Sequence, residues 1–397
     1  MNRPAFELAD IFRQYGAQYR QTHRLPLKQL RVMRAIEACR TAVLGGHVEK
    51  CDQCDHIRIA YNSCRNRHCP NCQNRERAKW LADRKAELLP VEYFHVVFTV
   101  PEEIARIAFY NPEVVYGILF RTAAETLLTI ARDPQHLGAE IGFFAVLHTW
   151  GQNLLHHPHV HCVVPGGGLS PDHERWIACR PGFFLPVKVL SRLFRRLFLD
   201  ALEDAFYQGK LLFPGEIAPL QDAFSFARRL MAEEAREWVV YAKPPFGGAQ
   251  RALEYLGRYT HRVALSNERL LAVRNNEVTF QWKDYRHKHK QKSRVMTLEA
   301  NEFIRRFLIH TLPPGFPRIR HYGILANRHR EEKLALCRTL LSQPVTELLP
   351  GAVQCLLLLQ ALILRPPHRC PKCKKGIMIR LGFLPVYLWP ARPPDTS

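Results

Sequence analysis

The chain has 397 residues, enough for two or three domains that each bury a core of their own. With 47% hydrophobic and 23% charged residues its composition is that of a globular protein, which excludes a disordered or fibrous chain. Its 57 Lys+Arg against 36 Asp+Glu leave a net charge of +21, more than solubility needs, so a polyanion such as DNA or RNA is the first partner to consider.

The opening residues Met1-Asn-Arg-Pro-Ala-Phe-Glu-Leu8 lack the apolar stretch of a secretory signal. The longest apolar run, Val353 to Leu364, is too short to span a bilayer. The expectation is a cytoplasmic protein with no membrane partner, in a reducing compartment where 12 cysteines are better explained by metal than by disulfides. Two amphipathic helices are expected first. One carries Phe6, Ala9, Phe12 and Tyr15; the other carries Leu27, Leu30, Ile36 and Val43 and stops at Gly45-Gly46.

Residues 47–72 are dense in Cys, His, Asn and Arg, with little periodicity. Cys51-Asp-Gln-Cys54 and Cys69-Pro-Asn-Cys72 are two knuckles at a spacing that can close around one tetrahedral Zn²⁺. Four thiolates from Cys51, Cys54, Cys69 and Cys72 leave no open position, so this zinc is expected to be a folding staple. Cys39, His47, Cys64 and His68 are left over nearby, either as a second site or as buried cysteine and surface histidine. Arg65, Arg67, Arg75, Arg77 and Lys79 surround the last knuckle and suit either phosphates or a solvated basic face. A helix over about 75–89 ends near Pro90.

Strands and helices then alternate. Tyr93–Val100 is rich in β-branched and aromatic residues and reads as a strand, and a helix covers about 114–132. Strands at 141–150 and 159–164 are joined by a connection short enough for antiparallel neighbours. A long helix spans 187–206, followed by a less regular helical stretch to Ala235, a strand at 238–242 and a helix at about 249–261. Segments 269–274 and 277–284 form a hairpin about Asn275-Asn276, with 295–298 as a third strand, and a helix runs from Ala300 to about His310. In Asp284–Arg294 the cations Arg286, Lys288, Lys290, Lys292 and Arg294 alternate, a DNA-binding finger if extended and a counterion-releasing loop otherwise. Arg318, Arg320, Arg328 and Arg330 add a second basic patch. Cys370-Pro-Lys-Cys373 is a third knuckle with no Cys or His after it, a half motif.

Two features carry chemistry. In His159-Val160-His161 the imidazoles leave one face of a strand, while Val160 and Cys162 point to the core. Such a pair offers two neutral nitrogens to one metal ion with room left for substrate, although a bare His-x-His is more often ordinary histidine. Tyr255 and Tyr259 lie one helical turn apart in Glu254-Tyr-Leu-Gly-Arg-Tyr-Thr-His261. Aromatics at that spacing are commonly core, but Arg258, Thr260, His261 and Arg262 make this stretch polar. A phenol is a poor nucleophile toward a phosphodiester unless the phosphate is polarised. A metal held by His159 and His161 meets that need, with Arg258, between the tyrosines, or Arg262 as the source of further positive charge.

These motifs resemble the two-tyrosine HUH transposases of the insertion sequence 91 family. The likeness covers about residues 30–330, through Asn62–Cys72, His156–Gly168 and Tyr255–Arg262. It implies rolling-circle transposition through single-stranded DNA, with nicking dependent on Mg²⁺ or Mn²⁺ and a 5′-phosphotyrosine link. By residue, it makes His159 and His161 the metal pair and Tyr255 and Tyr259 the nucleophiles. It also implies a third ligand from a neighbouring strand, for which His148 and Gln152 are candidates, and places the tyrosine helix across the sheet. The expected fold is α+β, an HUH-endonuclease-like central antiparallel sheet with flanking helices, preceded by a small zinc-ribbon-like module. The expected divisions are a helical zinc-binding module at 1–89, a catalytic domain at 90–310 and a basic, helical extension with a Pro-rich tail at 311–397. The expected activity is DNA strand transfer at element ends. Its rivals are a replication initiator or relaxase using the same chemistry, and a non-catalytic zinc-dependent DNA-binding protein.

Overall fold

In the computed structural model, residues 5–73, 87–243, 263–283, 293–341 and 369–386 are described. In chain order they form α1 (Leu8–Thr22), α2 (Leu27–Ala38), β1 (Gly46–Cys51), β2 (Ile57–Tyr61), β3 (Tyr93–Thr99), α3 (Glu102–Tyr110) and α4 (Pro112–Arg132). There follow β4 (Gly142–Trp150), β5 (His156–Pro165), the short pair β6 (Gly167–Leu169) and β7 (Trp176–Ala178), α5 (Val187–Tyr207), α6 (Ala223–Glu234) and β8 (Val240–Lys243). The last are β9 (Leu270–Arg274), β10 (Glu277–Lys283), β11 (Ser293–Glu299), α7 (Ala300–Leu308), β12 (Ile319–Gly323), α8 (Arg330–Leu340) and β13 (Met378–Leu384).

The centre is a five-stranded antiparallel sheet in the order β12-β4-β5-β3-β8. Strict alternation of side chains decides its two faces. Phe94, Val96 and Phe98 of β3, Phe143, Ala145 and Leu147 of β4, and Val160, Cys162 and Val164 of β5 all enter one core, shared with α3, α4 and α5. The other face carries Phe144, Val146 and Val163 with Tyr93 at one end, a small apolar cluster that gives way to histidines toward the other. The fold is thus α+β about a central antiparallel sheet, as expected.

Helix α4 begins on Pro112, whose missing N–H costs nothing at a first helical position. It is long and apolar enough to cross a membrane, but Leu119, Phe120, Ala123 and Leu127 are buried in the core, the composition of a central helix in a large domain. A second core joins α1 and α2 to the β9-β10-β11 sheet and α7, with Phe12 edge-on to Phe307 at 5.6 Å. The β9–β10 turn places Asn275 and Asn276 at φ 53° and 60°, the left-handed pair that a tight hairpin needs.

Chain order and core order differ. The N-terminal helices share a core with residues 264–280 and 300–308, β12 completes the central sheet, and β13 joins β1 and β2 in a third sheet of order β13-β1-β2. The strands β1 and β2 fall where the sequence shows little periodicity; β1 pairs with β2 on one side and with β13, far along the chain, on the other. The helix expected at 75–89 falls largely outside the described residues, and Leu88 and Leu89 at its end are not helical.

Candidate functional site

His159 and His161 leave β5 on the face opposite Val160 and Cys162, both fully buried in the main core. The register then supplies a neighbour. His148 of β4 is the direct cross-strand partner of His159, and Val146 is the partner of His161. The ligand nitrogens of His148, His159 and His161 all lie within 4.8 Å of one another. Ring centroids are 4.4 Å apart for His148–His161, 4.8 Å for His159–His161 and 5.5 Å for His148–His159. Of the two candidates for a third position, His148 joins the cluster. Gln152 lies in the β4–β5 turn, where its carbonyl accepts from the Arg269 guanidinium at 2.6 Å.

Neighbours set how these rings point. His159 Nδ1 is 2.6 Å from the His157 carbonyl oxygen, an acceptor only, so Nδ1 carries the proton and Nε2 keeps its lone pair. His161 Nδ1 is 2.7 Å from Nε2 of His95, on β3, and the two rings lie nearly parallel. Trp150 stacks on His148 at 4.8 Å and 18°. Partners of this kind fix tautomer and orientation in metal-binding histidines. Three imidazoles on one face suit a divalent ion and leave positions for oxygen ligands. Sequence reasoning found the pair on β5 but not His95, whose role depends on strand register.

A groove of about 810 Å³ opens at the start of β5, lined among others by His156, His157, Phe109, Tyr110, Arg106 and Arg236. Burial pushes His156 down to about 4, so near neutral pH it is an uncharged partner for the Tyr116 hydroxyl 2.7 Å away. Tyr255, Tyr259 and Arg258 lie outside the described residues, as do Arg286, Lys288, Lys290 and Lys292.

The expected single zinc site is corrected. Cys51, Cys54, Cys69 and Cys72 do not come together; each knuckle finds other partners. Cys69 and Cys72 are buried in the second core beside Cys39, at the end of α2, and Cys64. There the sulfur separations are 3.5 Å for Cys64–Cys72, 3.6 Å for Cys39–Cys69 and 3.7 Å for Cys39–Cys72. A tetrahedron with metal–sulfur bonds of about 2.3 Å has edges of about 3.8 Å, so this set fits Zn²⁺ and is far too open for disulfides. Hydrogen bonds from the other three thiols hold the Cys72 thiol low, while the same crowding pushes Cys69 up. The physical reason for the exchange is β1, which carries Cys51 away from the helical core into the sheet with β13, where Cys51 and Cys54 meet Cys370 and Cys373. His47 pairs instead with Glu49 at 2.8 Å, and His68 joins neither cluster.

Several arginines expected on phosphates are used within the protein. Arg67 donates to the carbonyls of Phe316 and Pro313 at 2.6 and 2.7 Å, which fastens the Cys64–Cys72 loop to the chain before β12. Arg318 is held at 3.3 Å from Gln73, and its guanidinium is lowered by burial and by the charge of Arg67. Arg320 lies 4.4 Å over the Phe120 ring, and Arg330 pairs with Glu87 at 3.3 Å.

Residues 142–333 match the family described as "Putative transposase", and residues 11–100 match the "Transposase zinc-binding domain" of insertion sequence 91. The chain is 60% identical over 402 residues to "Putative transposase y4qJ" of Sinorhizobium fredii, covering 100% of both chains. It is 28% identical over 297 residues to the "Transposase for insertion sequence element IS801" of Pseudomonas savastanoi pv. phaseolicola, covering 73% of this chain and 68% of that one. No solved structure matches. The matched segments take in the histidine strands and one complete cysteine cluster. The chain therefore belongs to the insertion sequence 91 family of transposases, which cut and transfer DNA strands, and it carries that family's N-terminal zinc-binding domain.

Proposed function

We propose that this transposase nicks and rejoins single-stranded DNA at element ends through phosphotyrosine links, with Tyr255 and Tyr259 as nucleophiles. The observation that carries the reading is the cluster of His148, His159 and His161 on one sheet face, each ring oriented by a neighbour. These three residues would hold Mg²⁺ or Mn²⁺, and the all-nitrogen donor set favours Mn²⁺. When bound, the ion supplies Lewis-acid polarisation of a phosphate oxygen. A tyrosine oxygen forms the new bond to phosphorus as the bond to the 3′ oxygen breaks. The phenolic proton leaves the tyrosine, and the 3′ oxygen departs as a hydroxyl. Because the link conserves the phosphoester, the second tyrosine can repeat the step on another strand while the first holds an end.

The groove beside His157 offers a path for the strand, with arginines for phosphate and the aromatic rings of Phe109 and Tyr110 for bases. Arg258 adds charge near the nucleophiles. The module of Cys39, Cys64, Cys69 and Cys72 acts as a zinc staple, and the basic tract of Arg286, Lys288, Lys290 and Lys292 grips the backbone. The strands that flank this tract are paired, with Lys283 opposite Ser293.

The test is incubation of single-stranded DNA carrying the element end with the protein and Mn²⁺ or Mg²⁺. A covalent protein–DNA band is expected, lost in the double substitution Tyr255→Phe/Tyr259→Phe. An adduct that persists in that double variant removes both tyrosines from the chemistry.

A further inference from the structure

We infer that Cys51, Cys54, Cys370 and Cys373 hold a second, separate Zn²⁺ that clasps the C-terminal segment onto the N-terminal sheet. The four sulfurs lie within 4.8 Å of one another, with Cys51–Cys373 at 3.7 Å and Cys54–Cys370 at 3.5 Å. Those are the edges of a thiolate tetrahedron around zinc, and all four cysteines are free of disulfides. The family matches end at residue 333, so neither takes in Cys370 and Cys373.

The backbone is shaped for the purpose in both halves. The Gln53 amide donates to Cys51 Sγ at 3.4 Å and the Gly376 amide to Cys373 Sγ at 3.3 Å, so each knuckle aims a backbone N–H at one of its own sulfurs. Asp55 and Lys374, each directly after the second cysteine of its knuckle, have φ of 54° and 58°. Side-chain-bearing residues reach that region at a cost and hold it where surrounding structure demands it. The same turn recurs after Cys39 and Cys64 of the other cluster, at Arg40 (φ 58°) and Arg65 (φ 54°). Gly376 is needed for a different reason: a Cβ there would press to 2.5 Å on both Cys51 Sγ and Asp52 Oδ1.

The two knuckles are also joined directly. Asp52 Oδ1 accepts from the Ile377 amide at 2.7 Å, the Asp52 amide donates to the Ile377 carbonyl, and β13 then runs antiparallel to β1. Cysteines 316 and 322 positions apart in sequence thereby share one site. A metal clip across so long a loop constrains the unfolded chain more than a local one does.

Zinc content and thiol protection of the full-length protein test this without DNA, so the outcome is independent of the nicking chemistry. Two Zn²⁺ per chain are expected, and Cys370→Ser/Cys373→Ser should retain one. In the wild-type protein, alkylation followed by peptide mass spectrometry should find Cys51, Cys54, Cys370 and Cys373 protected together and released together by chelator. Protection should slow their modification by about tenfold or more relative to the chelated protein. This second measurement needs no variant to fold. Cys370 and Cys373 reacting at the chelated rate while Cys51 and Cys54 stay protected would overturn the site. A single zinc per wild-type chain, unchanged by the tail substitutions, would do the same.

Discussion

His161 is held from two sides. Its place on β5 fixes the direction of the ring, and His95 engages Nδ1 at 2.7 Å, so Nε2 is the nitrogen that can take an ion. On the divalent-ion reading, His161→Ala should abolish nicking while single-stranded DNA binding, followed by fluorescence anisotropy, stays within a few-fold of wild type. Equal loss of both would assign the residue to folding. His95→Ala should be milder, weakening Mn²⁺ affinity by about 10–100-fold, with nicking restored at higher Mn²⁺. Nicking by His95→Ala that is normal at limiting Mn²⁺ would remove its positioning role. The His159/His161 pair was legible in the sequence because a strand's period of two is local. His148 was one of two candidates, since only the register of β4 against β5 brings it to His159. Cysteine knuckles are likewise visible as pairs, but spacing does not say which pair meets which, and Cys370 and Cys373 meet partners more than 300 residues away.

Long periodic elements such as α4, α5 and the core strands follow from local pattern, whereas β12 and β13 follow from what they dock against. The end of β12 shows why. Gly323 has φ 58°, and a Cβ there would collide with the Ile141 carbonyl oxygen at the start of β4. Gly323→Ala should therefore destabilise the protein by more than about 1 kcal/mol, read as a lower urea midpoint; an unchanged midpoint would contradict this packing. The β4–β5 turn carries a second test. Burial pushes His310 down to about 3, and its neutral ring suits the site, with Nε2 donating to the Leu154 carbonyl and Nδ1 facing the Thr149 hydroxyl. Below about pH 6.5 the unfolded chain takes up a proton here that the folded chain refuses. Stability is thus full above that pH and is lost as pH falls toward 3. His310→Gln, which can keep a donor to Leu154, should make the fall in Tm between pH 7 and pH 5 shallower. An unaltered slope would mean that His310 does not contribute to it.

Across the whole molecule, the net charge of +21 named the class of partner, but the structure redistributes which cations face it. Arg67 and Arg318 are spent on carbonyls and on Gln73, and Arg320 lies over Phe120, so these add little to a phosphate-binding surface. The tract between β10 and β11 differs in kind: its flanks are paired strands, and Arg286, Lys288, Lys290 and Lys292 concentrate charge within a few residues. Cations that neutralise phosphates release condensed counterions, and the salt dependence of binding counts them. For single strands each contact contributes about 0.7 to the slope of log K against log salt. Replacing all four by Ala should make that slope shallower by about 3, and by the same amount for element-end and unrelated sequences, since backbone contacts carry no sequence information. A slope unchanged by the fourfold substitution would place the phosphate grip elsewhere. A loss confined to the element-end sequence would make the tract a reader of bases.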